Sequence, residues 1–410
     1  MQKYKYLIIG GGIAGTTAAE TIRKEDKEGS LAIVSDEPYR LYSRIMLSKL
    51  PYFLGKVPKD AIWMKKETWY SENKIDFLGG KKAVTVDSQN KIVKLESGEE
   101  IQYEKLLLVL GACARPWSAK NADKTGVHYV RTYDQGTGLI AQTETAKHAV
   151  MIGGGFISFE VADLLREKGI EVTLILRESY FWEPILDQAS GLIVEDAATK
   201  KGVKIIKNME VEEVLGSDKV AGVKLKDGSE ISCDMIVCGI GVMCSLDWLK
   251  VLGLEVGHGI FANEYLETNL PDVWTAGDVA EFNDVILGER VQLGNWQNAM
   301  EQGRVAGLNM LGKKQIFKKV TSYVTHGFGI AIGFVGDVRA GENKKIIKRG
   351  SQESGKCAQL VILNDEIVGA TTVNNIKEMQ QILKLIEGNV KVAGKEAELA
   401  DPGFDLATLG

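Results

Sequence analysis

The stretch YKYLIIGGGIAG, Tyr4 to Gly15, decides the fold. Its apolar run Tyr6-Leu7-Ile8-Ile9 meets Gly10-Gly11-Gly12 and continues into the small or apolar positions Ile13, Ala14, Ala18 and Ala19. That order reads as a buried parallel strand, a tight turn and a helix lying close against the strand. Gly10 permits the turn, Gly12 lets the backbone approach a pyrophosphate, and Gly15 lets the helix sit on the sheet. The free N–H groups of the helix start, with the positive end of its dipole, face the phosphates. A second strand, Leu31–Val34, ends at Ser35-Asp36-Glu37. Its carboxylate falls about 20 residues after the last glycine, where a ribose diol is held. Strand, helix and acid in register indicate dinucleotide binding rather than a plain glycine turn.

The opening pattern returns once. Ala149–Ile152 is a strand, Gly153-Gly154-Gly155-Phe156-Ile157-Ser158 a turn, Phe159–Lys168 an amphipathic helix stopped by Gly169, and Ile170–Leu176 the next strand. Ser158 stands in place of the third glycine. Two dinucleotide folds in one chain imply two dinucleotides. After each comes a meander and a buried strand: Ala83–Asp87, Ile92–Leu95, Ile101–Tyr103 and then Lys105–Leu110 in the first, Val203–Ile206, Val220–Leu225 and Cys233–Cys238 in the second. The second fold is inserted into the first, with crossings near Arg115-Pro116 and Gly239–Val242. The fold class is therefore α/β, with two Rossmann-like domains and a small α+β C-terminal domain. The expected limits are 1–115 and 242–317 for the outer domain, 116–241 for the inserted one and 318–410 for the last, an interface unit without a cofactor signature.

The chain has 410 residues, a net charge of −5 and 45% apolar content, an ordinary globular composition for two or three domains. No long basic run points to nucleic acid, and no run of 18 apolar residues points to a membrane span. The first apolar run enters the glycine turn rather than a cleavage site, so the expected location is the cytoplasm. The five cysteines, Cys113, Cys233, Cys238, Cys244 and Cys357, form no C-x-x-C pair and no cluster or zinc signature. They read as buried small hydrophobes, with Cys233 and Cys238, flanking one short strand, the pair open to a redox reading. His128, His148, His258 and His326 are scattered without metal spacing. The loop after the second strand carries Arg44 and Lys49, which read either as solvated surface or as contacts to a cofactor's phosphate side and reacting ring. Thr275-Ala276-Gly277-Asp278 offers a carboxylate at a strand end, and Gly294–Asn298 opens a long helix, Ala299–Leu311.

These pieces, in this order, resemble the pyridine-nucleotide flavoprotein reductases, above all the NADH–rubredoxin and dioxygenase-ferredoxin reductases and the flavin domain of NAD(P)H nitrite reductase. The carriers are IIGGGIAG, SDEPYRLYSR, LLLVLGACARP, IGGGFISFEVA, IVCGIGV, TAGDVAEF and GNWQNAMEQGRVAGLNM, over residues 4–310. The resemblance implies FAD on the first fold, touching Gly10, Gly12, Gly15, Asp36, Gly111 and Asp278, and also Ile13, Ala14, Glu37, Arg44, Val84 and Gln297. It implies NAD(P)H on the inserted fold, at Gly153, Gly155, Phe156, Ile157, Arg177 and Gly241. Lys49 matches the lysine near flavin N5, Glu160 the glutamate that holds the nicotinamide amide, and Trp296 an aromatic beside the flavin; these three are the implied catalytic residues.

Two departures narrow the activity. Disulfide-reducing branches carry a redox cysteine where this chain has Ser48, and a hydroxyl cannot shuttle electrons as a thiolate does. NAD-selective members place an acid where Leu176 sits, whereas Arg177 matches an arginine of NADP-selective ones and Glu178 would repel a 2′-phosphate. A charge-assisted bond there is worth about 1.5–3 kcal/mol, so the nucleotide preference stays open. The implied reaction passes a hydride from NAD(P)H to the flavin, with the reacting atoms about 3–3.5 Å apart. Single electrons then pass between the flavin and an external rubredoxin, ferredoxin or iron–sulfur subunit, in either direction, in a homodimer or a larger redox complex. An NAD(P)H oxidase, a quinone reductase or a slow-turnover FAD-binding redox sensor are the rival readings.

Overall fold

The computed structural model describes residues 1–250, 253–339 and 341–410. The chain forms two compact units, the first made of Met1–Ser43, Asp60–Cys113 and Val242–Lys319, the second of Arg44–Lys59, Ala114–Gly241 and Val320–Gly410. In chain order, the first unit holds strand β1 (Gln2–Ile9), helix α1 (Ile13–Glu25), β2 (Leu31–Ser35), β3 (Ile75–Gly79), β4 (Ala83–Asp87), β5 (Ile92–Leu95) and β6 (Glu100–Leu108). The second unit then supplies β7 (His148–Ile152), α2 (Phe156–Glu167), β8 (Glu171–Ile175), β9 (Val203–Ile206) and β10 (Met235–Cys238). The chain returns to the first for β11 (Val273–Thr275) and α3 (Trp296–Met310). It ends in the second with β12 (Ser322–Gly327), β13 (Ile330–Gly336), β14 (Lys345–Ser351), β15 (Lys356–Leu363), β16 (Glu366–Val373) and α4 (Ile376–Glu387).

In the first unit β3, β2, β1, β6 and β11 lie side by side, all parallel. Leu7, Ile8, Leu106, Leu107 and Leu108 are fully buried, as continuous apolar strands covered on both faces must be. The segments read as two strands, 101–103 and 105–110, form one that ends at Leu108: β6 pairs with β1 from Gln2↔Ile101 to Ile9↔Leu108 while its first residues also run antiparallel to β5. Nothing in Glu104-Lys105 turns the backbone, so the polar pair marks an exposed part of a strand and not its end. Helices α1 and α3 meet backbone to backbone. A Cβ on Gly303 would lie 2.2 Å from the Ala14 carbonyl oxygen, and one on Gly307 2.9 Å from that of Ala18. The i, i+4 spacing of Gly303 and Gly307 matches that of Ala14 and Ala18, which sets the pitch of the contact.

The second unit carries a parallel sheet in the order β9, β8, β7, β10. Its C-terminal part is an antiparallel sheet in the order β12, β13, β16, β15, β14, with α4 packed on it through Met379, Ile382, Leu385 and Ile386. β14 escapes a hydrophobicity reading because Arg349 occupies a core position. Its guanidinium is 1% exposed and is held by Glu378 at 2.9 Å and by the carbonyls of Leu399 (3.1 Å) and Phe404 (2.6 Å). A buried cation with several acceptors is tolerated, and removing one partner would be costly.

Candidate functional site

Gly10, Asp36, Gly111 and Asp278 all follow the C-terminal ends of parallel strands β1, β2, β6 and β11. Ligands of open parallel sheets bind at that edge. Gly10 has φ +125°, and a Cβ there would meet the Val109 carbonyl oxygen at 2.1 Å. A Cβ on Gly15 would meet the Gly10 carbonyl oxygen at 2.0 Å, whereas one on Gly12 would meet nothing within 4 Å. Gly10 and Gly15 are therefore packing glycines, and Gly12 faces open space. No side chain caps α1 and no acid lies in its first turn. An uncapped start beside an open glycine is a fit for a diphosphate, whose charge the N–H groups and dipole stabilise. Gly277 places Asp278 next to α1: a Cβ on Gly277 would stand 3.3 Å from Ala14 and 3.6 Å from Ala299. The Gly277 N–H donates to Gln302 Oε1 at 2.7 Å, while Gln302 Nε2 and Asn298 Oδ1 are buried without partners. Such orphaned atoms beside an open edge are fit to meet a bound group. Asp36 is exposed, Glu37 accepts from the Tyr42 hydroxyl at 2.8 Å, and Val84 is half-buried on β4. Trp296 is half-buried at the start of α3, which begins three residues earlier than the sequence pattern indicates because Asn295 caps it, accepting from the Asn298 N–H at 2.8 Å.

The second glycine turn repeats this build. α2 also starts on an uncapped glycine, Gly155, with no acid in its first turn. Ser158 fits where a glycine was needed in α1 because the opposing residue is Gly239: a Cβ on Gly239 would lie 2.2 Å from Ser158 Oγ. Gly241 has φ +93° and open space around it. The half-buried Phe156 ring packs on Trp182, Tyr323 and Phe334, with centroids 4.5–5.3 Å away. Ile157 is half-buried on the same core. Arg177, at the end of β8, is 78% exposed and its guanidinium sits 2.6 Å from Glu178. Leu176 is fully buried, so no polar group at that position reaches a ribose.

Helix α2 carries a buried acid that gathers donors from three segments of this unit. Glu160 is buried, and its carboxylate accepts from three donors. Lys49 Nζ and the Thr325 hydroxyl, the latter at 2.6 Å, both reach Oε1, and the Ser48 hydroxyl reaches Oε2. A carboxylate oxygen accepts about two bonds, so Oε1 is saturated and Oε2 keeps one direction free. Sequence reading singled out Lys49 and Glu160 separately; the fold pairs them. Ser48, which the resemblance matched to a redox cysteine, is a hydroxyl donor here. Thr325, from the C-terminal sheet, carried no signal in the sequence. Arg44 donates to the Arg131 carbonyl, so part of its guanidinium is committed within this unit.

All five cysteines are free thiols. Cys233 and Cys238 are buried, and burial pushes both thiols up to about 12, far from thiolate chemistry at neutral pH. No group of His, Cys, Asp and Glu able to hold a metal occurs among the described residues, nor any helix long and apolar enough to cross a membrane.

The family model of the pyridine nucleotide-disulphide oxidoreductases matches residues 4–303, and the chain belongs to that family. It is an oxidoreductase of the FAD and NAD(P)H kind. Among its relatives, the NAD(P)H nitrite reductase of Bacillus subtilis is 28% identical over 98% of this chain, which spans 48% of that protein's length. The NADH–rubredoxin oxidoreductase of Clostridium acetobutylicum is 28% identical over 95% of this chain and 96% of its own. The structure of a covalent putidaredoxin reductase–putidaredoxin complex superimposes with a TM-score of 0.91 at 25% identity, covering 100% of this chain and 98% of that one.

Proposed function

We propose that this protein carries reducing equivalents between NAD(P)H and an external iron–sulfur protein of the rubredoxin or ferredoxin type, in the cytoplasm, alone or as a subunit of a larger redox complex. The observation that carries the reading is the pair of uncapped glycine turns on α1 and α2 together with the Glu160 anchor. In this reading the turn at Gly10, Gly12 and Gly15, with the Ile13 and Ala14 amides, takes the FAD diphosphate. Asp36 and Glu37 serve the ribose, and Gly111, Val84, Asp278, Trp296 and Gln297 the rest of the cofactor. Gly153, Gly155, Gly241 and the Phe156 and Ile157 amides line the nicotinamide dinucleotide, with Arg177 at its 2′ position. Bound FAD supplies the exchange between hydride and single-electron chemistry. Glu160 orients the nicotinamide by accepting its carboxamide N–H on the free direction of Oε2. Lys49, Ser48 and Thr325 fix the carboxylate so that this direction is the only one left.

The engagement of Ser48 by Glu160 supports an external acceptor, since the position that carries a thiol in disulfide-reducing relatives is a structural hydroxyl here. The test is steady-state NADH and NADPH oxidation with rubredoxin, ferredoxin, a quinone or oxygen as sole acceptor. Turnover at least tenfold faster with an iron–sulfur protein than with oxygen or quinone is expected. Equal or faster turnover with oxygen would make the chain an oxidase, and slow turnover with every acceptor would make it a sensor.

A further inference from the structure

Behind the Glu160 anchor the second unit contains a cavity of about 540 Å³. Its wall includes Asp163, one helical turn after Glu160 on α2, with Leu50 next to Lys49 and His326 next to Thr325. Lys356 and Lys377 also line it, as do Asn375 and the first residues of α4. Three properties set its chemistry. First, it is cationic: Lys356 and Lys377 are exposed, and neither ammonium has an ion-pair partner among the described residues. Second, α4 is a 12-residue helix whose start at Asn375 has no side-chain cap, and its first-turn acid, Glu378, is spent on Arg349 at 2.9 Å. Third, Asp163 is 5% exposed, yet its Oδ1 has no hydrogen-bond partner. Its carboxyl is touched by the Phe328 N–H, and burial lifts its pKa above the ordinary carboxylate range. The nearby cation Lys201 is taken by Glu167 at 2.6 Å. Gly329, in the turn between β12 and β13, leaves open space where a Cβ would stand, so backbone is exposed on the cavity wall.

A buried carboxyl with one oxygen unpartnered is costly unless something meets that oxygen. Unpaired lysines with an uncapped helix start attract an anion. Leu50, Ile330 and Ile376 add an apolar rim suited to a short carbon chain. We propose that this cavity is a binding site for a small polyol phosphate: the phosphate lies on Lys356, Lys377 and the start of α4, and a hydroxyl meets Asp163. The site is separate from both dinucleotide turns and does not rest on the redox reading. It borders each segment that clamps Glu160.

The test is isothermal titration of the full-length, FAD-loaded protein with glycerol 3-phosphate, with inorganic phosphate and glycerol as partial probes. Saturable one-site binding with a Kd of order 1 mM or tighter is expected for glycerol 3-phosphate. Phosphate alone binds more weakly, and glycerol gives no signal. The exposed double variant Lys356→Gln/Lys377→Gln removes two charge-assisted contacts and weakens binding by at least about tenfold, the value for one. Asp163→Asn abolishes the preference for glycerol 3-phosphate over phosphate. Absence of saturable binding, or binding unchanged in the lysine double variant, would overturn the proposal. NADH reduction of the flavin in the double variant is measured in parallel and stays at the wild-type rate. Loss of NADH reduction in the wild type with intact glycerol 3-phosphate binding would fall on the redox reading alone.

Discussion

Thr325→Val removes one donor from Glu160 and almost nothing else, because valine keeps the shape of threonine. The hydroxyl sits 2.6 Å from Glu160 Oε1 at a side chain that is 2% exposed. A hydrogen bond to a charged group is worth about 1.5–3 kcal/mol, a ceiling of roughly 10- to 150-fold on any equilibrium that depends on it. Lys49 and Ser48 still hold the carboxylate in the variant, so the low end applies. The expected result is a fall of about tenfold in kcat/KM for NADH, carried mostly by KM, because the anchor loses orientation rather than charge. The assay is anaerobic stopped-flow reduction of the flavin across a range of NADH concentrations. Thr325→Ser, which restores the donor, should return to within about twofold of wild type. A valine variant with wild-type KM, or a serine variant as impaired as the valine one, would refute the argument that Thr325 positions Glu160.

Gly239→Ala puts a methyl group 2.2 Å from Ser158 Oγ. It should destabilise the protein by about 1–3 kcal/mol in urea unfolding, with Ser158→Gly restoring most of the loss in the double variant. Glu178→Gln frees Arg177 from its 2.6 Å partner and removes a negative charge. The ratio of kcat/KM for NADPH over NADH should rise about tenfold, and an unchanged ratio would remove Arg177 from nucleotide choice. Asp26 accepts from Lys5 Nζ at 2.8 Å, the Tyr6 hydroxyl at 3.0 Å and the Gly29 N–H at 2.7 Å. These bonds, led by that from Lys5, hold its carboxyl well below the ordinary range. A depressed folded pKa gives stability that is present above the unfolded value, about 3.9, and lost as pH falls through the folded one. Asp26→Asn should therefore be less stable than wild type near neutral pH, and the difference should close in strong acid; a gap independent of pH would contradict this.

Much of the parallel scaffold was legible because its strands are uninterrupted apolar runs closed by glycine or by the polar Ser35-Asp36 pair. Leu31–Val34, Ala149–Ile152 and Leu106–Leu108 leave little else for a backbone to do. The glycine turns were legible for the same steric reason, and the atoms that Gly10 and Gly15 would strike show why no other residue serves. Pairings that join distant segments were not legible. Ser158 tolerates its position only because Gly239, 81 residues later, lacks a side chain. Thr325 lies in a strand with a polar and aromatic face that gives no alternation to read, and its role exists only once β12 is laid beside α2. Arg349 hid β14 by placing a charge where a core residue was expected. The short helix start of α3 moved because Asn295 accepts from Asn298, a capping pattern present in the sequence as Asn295 and missed there.

The most direct test of the central claim is an anaerobic titration of the FAD-loaded protein with NADH, followed by oxidised rubredoxin. One NADH per flavin should bleach the yellow absorbance, and two rubredoxins per flavin should restore it, as a two-electron donor and a one-electron acceptor require. A chain that binds no FAD, or a flavin that NADH bleaches but neither rubredoxin nor a ferredoxin reoxidises, would contradict the account.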